Sequence, residues 1–516
     1  MMRFKLTIAS RDHLLVSIDD FHLAAGKITV LFGESGIGKT LIAQALFGLL
    51  DPYELHIEIN GRDYQSYLRS HELHRLQSDG FFVFQEPSTH LNPLMTLEEQ
   101  LNEGALKRAG RQEQILQALW QKPYASHIRP LLSVYPKPYR PSGGEKQRIL
   151  LAMAFKKWAM PCKNKDRLFI FDEPTGSLDN RYRDIFLKEL LRRYREQPFT
   201  VLLITHDYSM ISAFTEHHAT LLPHIYFKEL RRQNTALVKL LDFKPAAYTD
   251  WLARQHPASG LRTSDQSPVL KITPKFKVFD KTFFLKLGHP QAPANPLLLH
   301  KGDLVYLKAP SGMGKTTLAK IIAGLQRAQE VHFELGGLSF DTHTPIAVWR
   351  KYIWGKKLAM VFQHADEALN LQALVRDIFK GLPGVTLKEP EEMLQALRAI
   401  FDDTLAPSFL KQKVGYLSGG QKQRLNLLRA LLLHPEVIIL DEPLNGLDFE
   451  SIRKVIEIIE RKMAAGSGVL LISHNEEIFD RIVPENKRYY LTEAWEPEKK
   501  TTENDGAGIN EKRLKR

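Results

Sequence analysis

The chain has 516 residues, 43% of them apolar and 25% charged, with a formal charge of +12; this is ordinary soluble-protein composition and too long for one domain of roughly 150 residues. It excludes a disordered or fibrous chain, and no run approaches the roughly 18 uncharged apolar residues of a membrane span. The start lacks the apolar core of a secretion signal, and the lone cysteine, Cys162, cannot build a disulfide, a zinc cluster or an iron–sulfur site. Together these point to the cytosol. The positive charge is spread along the chain, so a mixed solvated surface explains it better than a nucleic-acid-binding arm.

In chain order, the first strong signal is an apolar strand, Lys27-Ile28-Thr29-Val30-Leu31-Phe32, then Gly33-Glu34-Ser35-Gly36-Ile37-Gly38-Lys39-Thr40, then a helical run from Leu41. Strand, glycine loop and helix together make a phosphate cradle: the glycines turn backbone N–H groups inward and the helix start adds a favourable partial charge. Ser35 lies within the loop, Lys39 would reach the outer phosphates and the Thr40 hydroxyl would bind Mg²⁺. A second strand, Phe81-Phe82-Val83-Phe84, ends in Gln85, which can bridge Mg²⁺ or water to a moving segment. Ser142-Gly143-Gly144 precedes a helix rich in Gln, Lys and Arg, a second anion-binding helix start.

Arg167-Leu168-Phe169-Ile170-Phe171 is a continuous apolar run, the pattern of a strand covered on both faces. It ends in Asp172-Glu173, at the sheet edge where open α/β folds place ligands. Asp172 would hold Mg²⁺ and Glu173 would polarise the attacking water. His206 closes another apolar strand, Val201–Ile204. A lone strand-end histidine is usually structural.

About 270 residues later every one of these features returns in the same order. Ala309-Pro310-Ser311-Gly312-Met313-Gly314-Lys315-Thr316-Thr317 follows the strand Leu304–Lys308. Gln363 follows Ala359–Phe362, and Ser418-Gly419-Gly420 opens another Gln/Lys/Arg helix. Asp441-Glu442 ends Val437–Leu440, and His474 follows Val469–Ile472. Repetition at matched positions turns His206 and His474 into catalytic candidates. Ala309, where glycine stands in the first copy, is tolerated only if the backbone there avoids positive φ. The chain therefore divides into residues 1–254, a turn-rich junction at 255–268, a second copy at 269–495 and a charged tail at 496–516 that reads as disordered. Each copy has two phosphate-binding helix starts for one nucleotide, so the spare one is expected to serve the other half.

Both copies resemble the nucleotide-binding domain of ATP-binding cassette (ABC) proteins. The resemblance covers nearly the whole chain and includes the turns Ser177-Leu178-Asp179 and Gly446-Leu447-Asp448. It implies two tandem P-loop NTPase domains of α/β class, each a mostly parallel sheet with helices plus an α-helical and an antiparallel β subdomain. It also implies a head-to-tail sandwich with two ATPs: Lys39, Thr40, Gln85, Asp172, Glu173 and His206 facing Ser418-Gly419-Gly420, and Lys315, Thr316, Gln363, Asp441, Glu442 and His474 facing Ser142-Gly143-Gly144. Gly33, Gly36, Gly38, Gly312 and Gly314 complete the ATP cradles with Ser35, Ser311 and Thr317, and Thr40, Gln85, Asp172, Thr316, Gln363 and Asp441 the Mg²⁺ sites.

The segment Val83-Phe84-Gln85-Glu86-Pro87-Ser88-Thr89-His90-Leu91-Asn92-Pro93-Leu94 is similar to the oligopeptide, dipeptide and nickel importer branch, with a fainter echo at Phe362–Asn370. That branch implies transport of a peptide, nickel or metal chelate through integral-membrane permease subunits, with an extracytoplasmic substrate-binding protein and the ATPase peripheral on the cytoplasmic membrane face. The sequence departs from the branch in lacking a cysteine cluster, in having Pro141 where leucine is usual, and in showing no aromatic residue for adenine stacking ahead of either loop. A soluble twin cassette acting on ribosomes or nucleic acid is the alternative. It fits less well, because Asp172-Glu173-Pro174-Thr175-Gly176-Ser177-Leu178-Asp179 differs from the ribosomal branch's Asp-Glu-Pro-Thr-Asn-His-Leu-Asp and the junction is short. A regulatory protein with one dead site is opposed by both glutamates and both histidines being present.

Overall fold

The computed structural model describes residues 2–10, 13–133, 141–162, 167–176, 180–233, 237–257, 267–278, 281–310, 312–401 and 405–493. The junction expected at 255–268 lies largely outside these residues, as do the 496–516 tail, the 177–179 turn and Ser311.

The continuous apolar runs become fully buried central strands. In the first half Ile28–Gly33 sits between Thr200–Ile204 and Ile225–Arg232, and Leu168–Asp172 and Phe81–Val83 continue the sheet in parallel. Val238–Asp242 adds an antiparallel edge. The second half repeats the core with Leu304–Lys308, Gly468–Ile472, Val437–Asp441 and Leu358–Val361, all parallel. Parallel strands need helical crossovers, and those helices bury both sheet faces, so the strands carry no polar alternation.

Each half also has a four-stranded antiparallel sheet, led by Met2–Ser10 in one and Leu270–Ile272 in the other. Met2–Ser10 alternates buried Phe4, Leu6 and Ile8 with more exposed neighbours, as a sheet covered on one face requires. Helices such as Leu97–Leu101 and Gln112–Trp120 in the first half, and Pro390–Arg398 in the second, precede the helices that follow the Ser-Gly-Gly motifs. The architecture is α/β, in two cassettes.

An unbroken apolar core joins the halves: it runs from Phe32 and Tyr208 to Phe449 and Phe479. Helix Pro245–Ala253, at the end of the first half, takes part through Tyr248 and Trp251.

Candidate functional site

Glycine makes the first cradle possible. Gly33, Gly36 and Gly38 have φ of +144°, +78° and +106°, values that side-chain-bearing residues rarely adopt. Helix Lys39–Leu46 starts immediately after. Buried Lys39 turns its ammonium back onto the loop, donating to the carbonyls of Gly33 (2.5 Å) and Glu34 (2.9 Å). Burial lowers its pKa, against the pull of Glu173 and Asp172.

In the second cradle Gly312 and Gly314 have φ of +78° and +89°, and Lys315 donates to Ala309 O at 2.6 Å. Ala309 is absent from the positive-φ positions, so the alanine is accommodated without strain there. Thr316 and Thr317 follow Lys315 in the first turn of helix Lys315–Ile322.

Asp172 and Asp441 end their strands with both carboxylate oxygens buried, beside the Thr40 and Thr316 hydroxyls respectively. Burial pushes Asp172 up to about 6, opposed by the Thr40 hydroxyl and Lys39, and raises Asp441 against Thr316 and Lys315. Thr316 also donates to Gln363 Oε1 at 3.5 Å. A carboxylate, a hydroxyl and an amide oxygen make a hard-oxygen donor set, which fits Mg²⁺ better than a soft metal. Among the described residues no His/Cys/Asp/Glu cluster forms any other metal site.

Both following glutamates sit in the left-handed region, Glu173 at φ +44° and Glu442 at φ +51°, a strained conformation typical of functional positions. Their surroundings differ. Glu173 lies 3.1 Å from His206 Nδ1 and accepts from Gln85 Nε2 at 3.0 Å. Burial pushes it up, but His206 and Lys39 outweigh that and bring it down to about 2. Glu442 accepts from the His474 backbone N–H (3.0 Å) and the Ser473 hydroxyl (3.2 Å), with His474 Nε2 at 3.4 Å. There burial prevails and raises it to about 7.

Ser142 and Ser418 are the N-caps of helices Gly143–Ala159 and Gly419–Leu432, each in a capping box with Glu145 or Gln421. The Ser-x-x-Glu/Gln spacing satisfies the helix-start donors reciprocally, and both motifs line the cavity between the halves. The first phosphate loop meets the second motif directly. Ser35 N–H donates to Gly446 O at 2.9 Å, and a Cβ added at Gly36 would lie 2.4 Å from Ser418 Cβ. Ser35 Oγ would be 3.4 Å from a Cβ on Gly419, and Glu34 Cγ 3.1 Å from one on Gly420. On the other side Gly312 and Ser142-Gly143-Gly144 line the same cavity of about 930 Å³, yet a Cβ at Gly312 would meet nothing within 4 Å. The geometry thus seats the first loop against its opposing motif, and among the described residues Gly312 of the second loop faces open space.

Sequence reasoning missed the pairing of Glu34 with Arg424 of the opposite half. Glu34 alternates with loop glycines and Arg424 reads as ordinary helix charge, so neither gave a signal. It also missed the aromatic residues around Phe449, whose spacing looks like plain core. Beside the glycine loops stand Val16, whose Cγ2 would be 2.4 Å from a Cβ on Gly38, and Phe283, 3.7 Å from one on Gly314.

Paired glycine cradles, strand-end Asp-Glu and opposing Ser-Gly-Gly helix starts in one chain define a twin-cassette P-loop ATPase. The chain belongs to the ABC transporter family, whose profile matches residues 16–176 and 296–445, more than half its length. It is an ABC-type ATP-binding protein that hydrolyses ATP. It is 29% identical over 495 residues to the peptidoglycan transport ATP-binding protein YejF of Agrobacterium fabrum, covering 89% of this chain and 85% of that one. It is 26% identical over 519 residues to the glutathione import ATP-binding protein GsiA of Escherichia coli K12, covering 90% and 79%. The solved structure of RNase-L inhibitor shares the fold at TM-score 0.59 and 17% identity, over 94% of this chain and 89% of that one.

Proposed function

We propose that the protein is the ATPase subunit of an importer for a peptide-class solute, working with separate integral-membrane permease subunits and an extracytoplasmic binding protein from the cytoplasmic membrane face. The relatives named above, one for peptidoglycan transport and one for glutathione import, support this reading. Among the described residues no helix is long and apolar enough to cross a membrane, which accords with a pore supplied by other chains. The observation that carries the mechanism is the first phosphate loop packed on Ser418-Gly419-Gly420 and Gly446.

ATP binds at two composite sites, each with a phosphate loop from one half and a Ser-Gly-Gly helix start from the other. Gly33, Ser35, Gly36, Gly38, Lys39 and Thr40 form one loop, Ser311, Gly312, Gly314, Lys315, Thr316 and Thr317 the other. Thr40, Asp172 and Gln85, or Thr316, Asp441 and Gln363, would hold a Mg²⁺ ion, which would supply charge neutralisation at the phosphates. Glu173 and Glu442 act as the water-orienting bases and His206 and His474 hold them in place. The backbone N–H groups of Ser142-Gly143-Gly144 and Ser418-Gly419-Gly420 close on the outer phosphate, so the halves draw together with ATP and part after hydrolysis.

Purification of the tagged protein from membranes tests this. Two integral-membrane subunits in stoichiometric amount support it; ribosomal proteins in their place overturn it. Separate Glu173→Gln and Glu442→Gln proteins, assayed with those partners, should each lose the turnover of the substituted site and keep that of the other, since a positioned base contributes about 10²–10⁴-fold at its own site. Parental turnover in either variant removes that glutamate from catalysis.

A further inference from the structure

The two switch segments are not built alike. In the first half His206 is followed by Tyr208, whose ring stacks on Phe32 at 4.5 Å and 12°, and Phe32 is the last residue before the phosphate-loop Gly33. The Tyr208 hydroxyl donates to Glu229 Oε1 at 3.1 Å and accepts from the backbone N–H of Phe449 at 3.0 Å. Phe449 belongs to the second half, directly after the Gly446-Leu447-Asp448 turn. Its ring lies 5.4–5.8 Å from those of Tyr208, Phe243, Tyr248 and Trp251, and Phe449 is 5% exposed. Tyr248 reaches back across the interface to donate to Glu477 Oε2 at 2.7 Å.

The other histidine's segment is held differently, with the Tyr306 hydroxyl of its own half donating to Ser473 O at 2.8 Å. Glu476 stands where Tyr208 does and Asn180 where Phe449 does; neither has an aromatic ring. The histidines differ accordingly: His206 is 29% exposed and 3.1 Å from its glutamate, His474 41% exposed and 3.4 Å away. Tyr208 is thus held on three sides two residues from His206, and one of those holds comes from the opposite cassette.

We infer that Phe449 is a positioning residue for the first site, seating the His206–Glu173 pair through Tyr208 and tying that site to the neighbouring half's turn. It touches no phosphate. A buried aromatic cluster has one low-energy arrangement, since edge and tilted contacts are lost when rings shift. Phe449 can therefore fix the register of the 206–208 segment whenever the 446–448 turn is docked. The second site has glutamate and asparagine at the two matched positions, so this aromatic route acts on the first site.

This rests on Glu173 and Glu442 being the two bases, so the test has one arm that uses that reading and one that does not. In the full chain carrying Glu442→Gln, only the first site turns over; adding Phe449→Leu should lower kcat at least tenfold with KM for ATP within twofold, and Phe449→Tyr should restore it to within threefold. In the Glu173→Gln chain the same changes should alter kcat less than twofold. Equal losses in both chains, or a loss confined to KM, would overturn the inference. Independently of which carboxylate is the base, Phe449→Leu should speed amide exchange at least tenfold in 204–208 and leave 472–476 within twofold; equal effects on both segments overturn it. Should Phe449→Leu fail to fold, Tyr208→Phe removes only the hydroxyl contacts, and at least a threefold kcat loss restricted to the first site is required.

Discussion

Glu34, in the first phosphate loop, is ion-paired with Arg424 on the helix that follows the second half's Ser-Gly-Gly motif, both side chains being largely buried (13% and 8% exposed). Arg424 also donates to Ser451 Oγ at 3.1 Å and lies over the Phe401 ring at 4.6 Å, so its guanidinium is held whether or not the halves meet. Proline occupies the place of Glu34 in the second loop. Its counterpart Arg148 stacks instead on Tyr182 at 4.2 Å and Trp120 at 4.9 Å. The interface is asymmetric at the level of charge.

Breaking that pair by removing one partner leaves a buried charge uncompensated, a change that costs about 3–5 kcal/mol in proteins generally. Glu34→Gln is expected to lower unfolding free energy by about 3 kcal/mol on this scale. Urea denaturation checks it, and a cost under about 1 kcal/mol would place the pair among surface contacts.

Gly36 and Gly312 share φ +78°, so alanine strains both backbones by about 1–3 kcal/mol. Only at Gly36 would the new methyl meet Ser418, at 2.4 Å. Gly36→Ala is therefore expected to abolish closure of the halves and ATP turnover at the first site. Gly312→Ala should weaken ATP binding about tenfold or less, the strain cost of 1–3 kcal/mol being partly relaxed. Nucleotide titration of the two proteins distinguishes them.

Asp172 keeps two buried carboxylate oxygens beside the Thr40 hydroxyl. Asparagine there is expected to remove most of the Mg²⁺-dependent part of ATP stabilisation. A ligand at a hundred times its Kd stabilises by about 2.7 kcal/mol. Thermal unfolding with ATP, with and without a chelator, should show a large difference for the parent and a small one for Asp172→Asn.

Glu477 is raised by its burial and by Asp207, against hydrogen bonds from Ser212 and Tyr248 and the charge of Arg183. With the folded pKa above the unfolded one, the folded state keeps a proton that the unfolded state has already released. Stability from this group therefore falls as pH rises from the ordinary glutamate value through the raised one. Glu477→Gln keeps an acceptor for Tyr248 and removes the titration. The melting temperatures at pH 5 and pH 8 should lie closer together in the variant than in the parent.

Beside Gln85, an apolar cleft of about 340 Å³ is lined by Phe47, Leu49, Phe81, Phe82, Phe84 and Leu106. If a permease helix docks here, Leu106→Glu should remove the membrane subunits from the purified complex and leave ATP affinity within twofold. Retention of those subunits would place the docking elsewhere.

Much of the fold could be read directly, because buried parallel strands carry an uninterrupted apolar signature and Ser-x-x-Glu/Gln marks a helix start wherever it falls. The glycine loops were equally legible: their φ values demand glycine, Lys39 and Lys315 stand at the same place in each, and Asp172 and Asp441 each end an apolar strand further along. The contrast between Glu173 and Glu442 was not legible. Both follow aspartate after an apolar strand, and what separates them is the approach of Gln85 and the imidazole on one side and of Ser473 and the His474 amide on the other.

Sequence alone determined that there are two nucleotide cassettes, where each turns its chemistry toward phosphate, and which side chains are available for it, because strand burial, capping and loop conformation depend on neighbours a few residues away. Tertiary structure decided where the first loop meets the opposite half and what surrounds each glutamate–histidine pair. Those outcomes depend on pairs such as Glu34 with Arg424, 390 residues apart, and Tyr208 with Phe449, 241 apart. No local pattern encodes contacts at that separation; the packing of the two cassettes creates them.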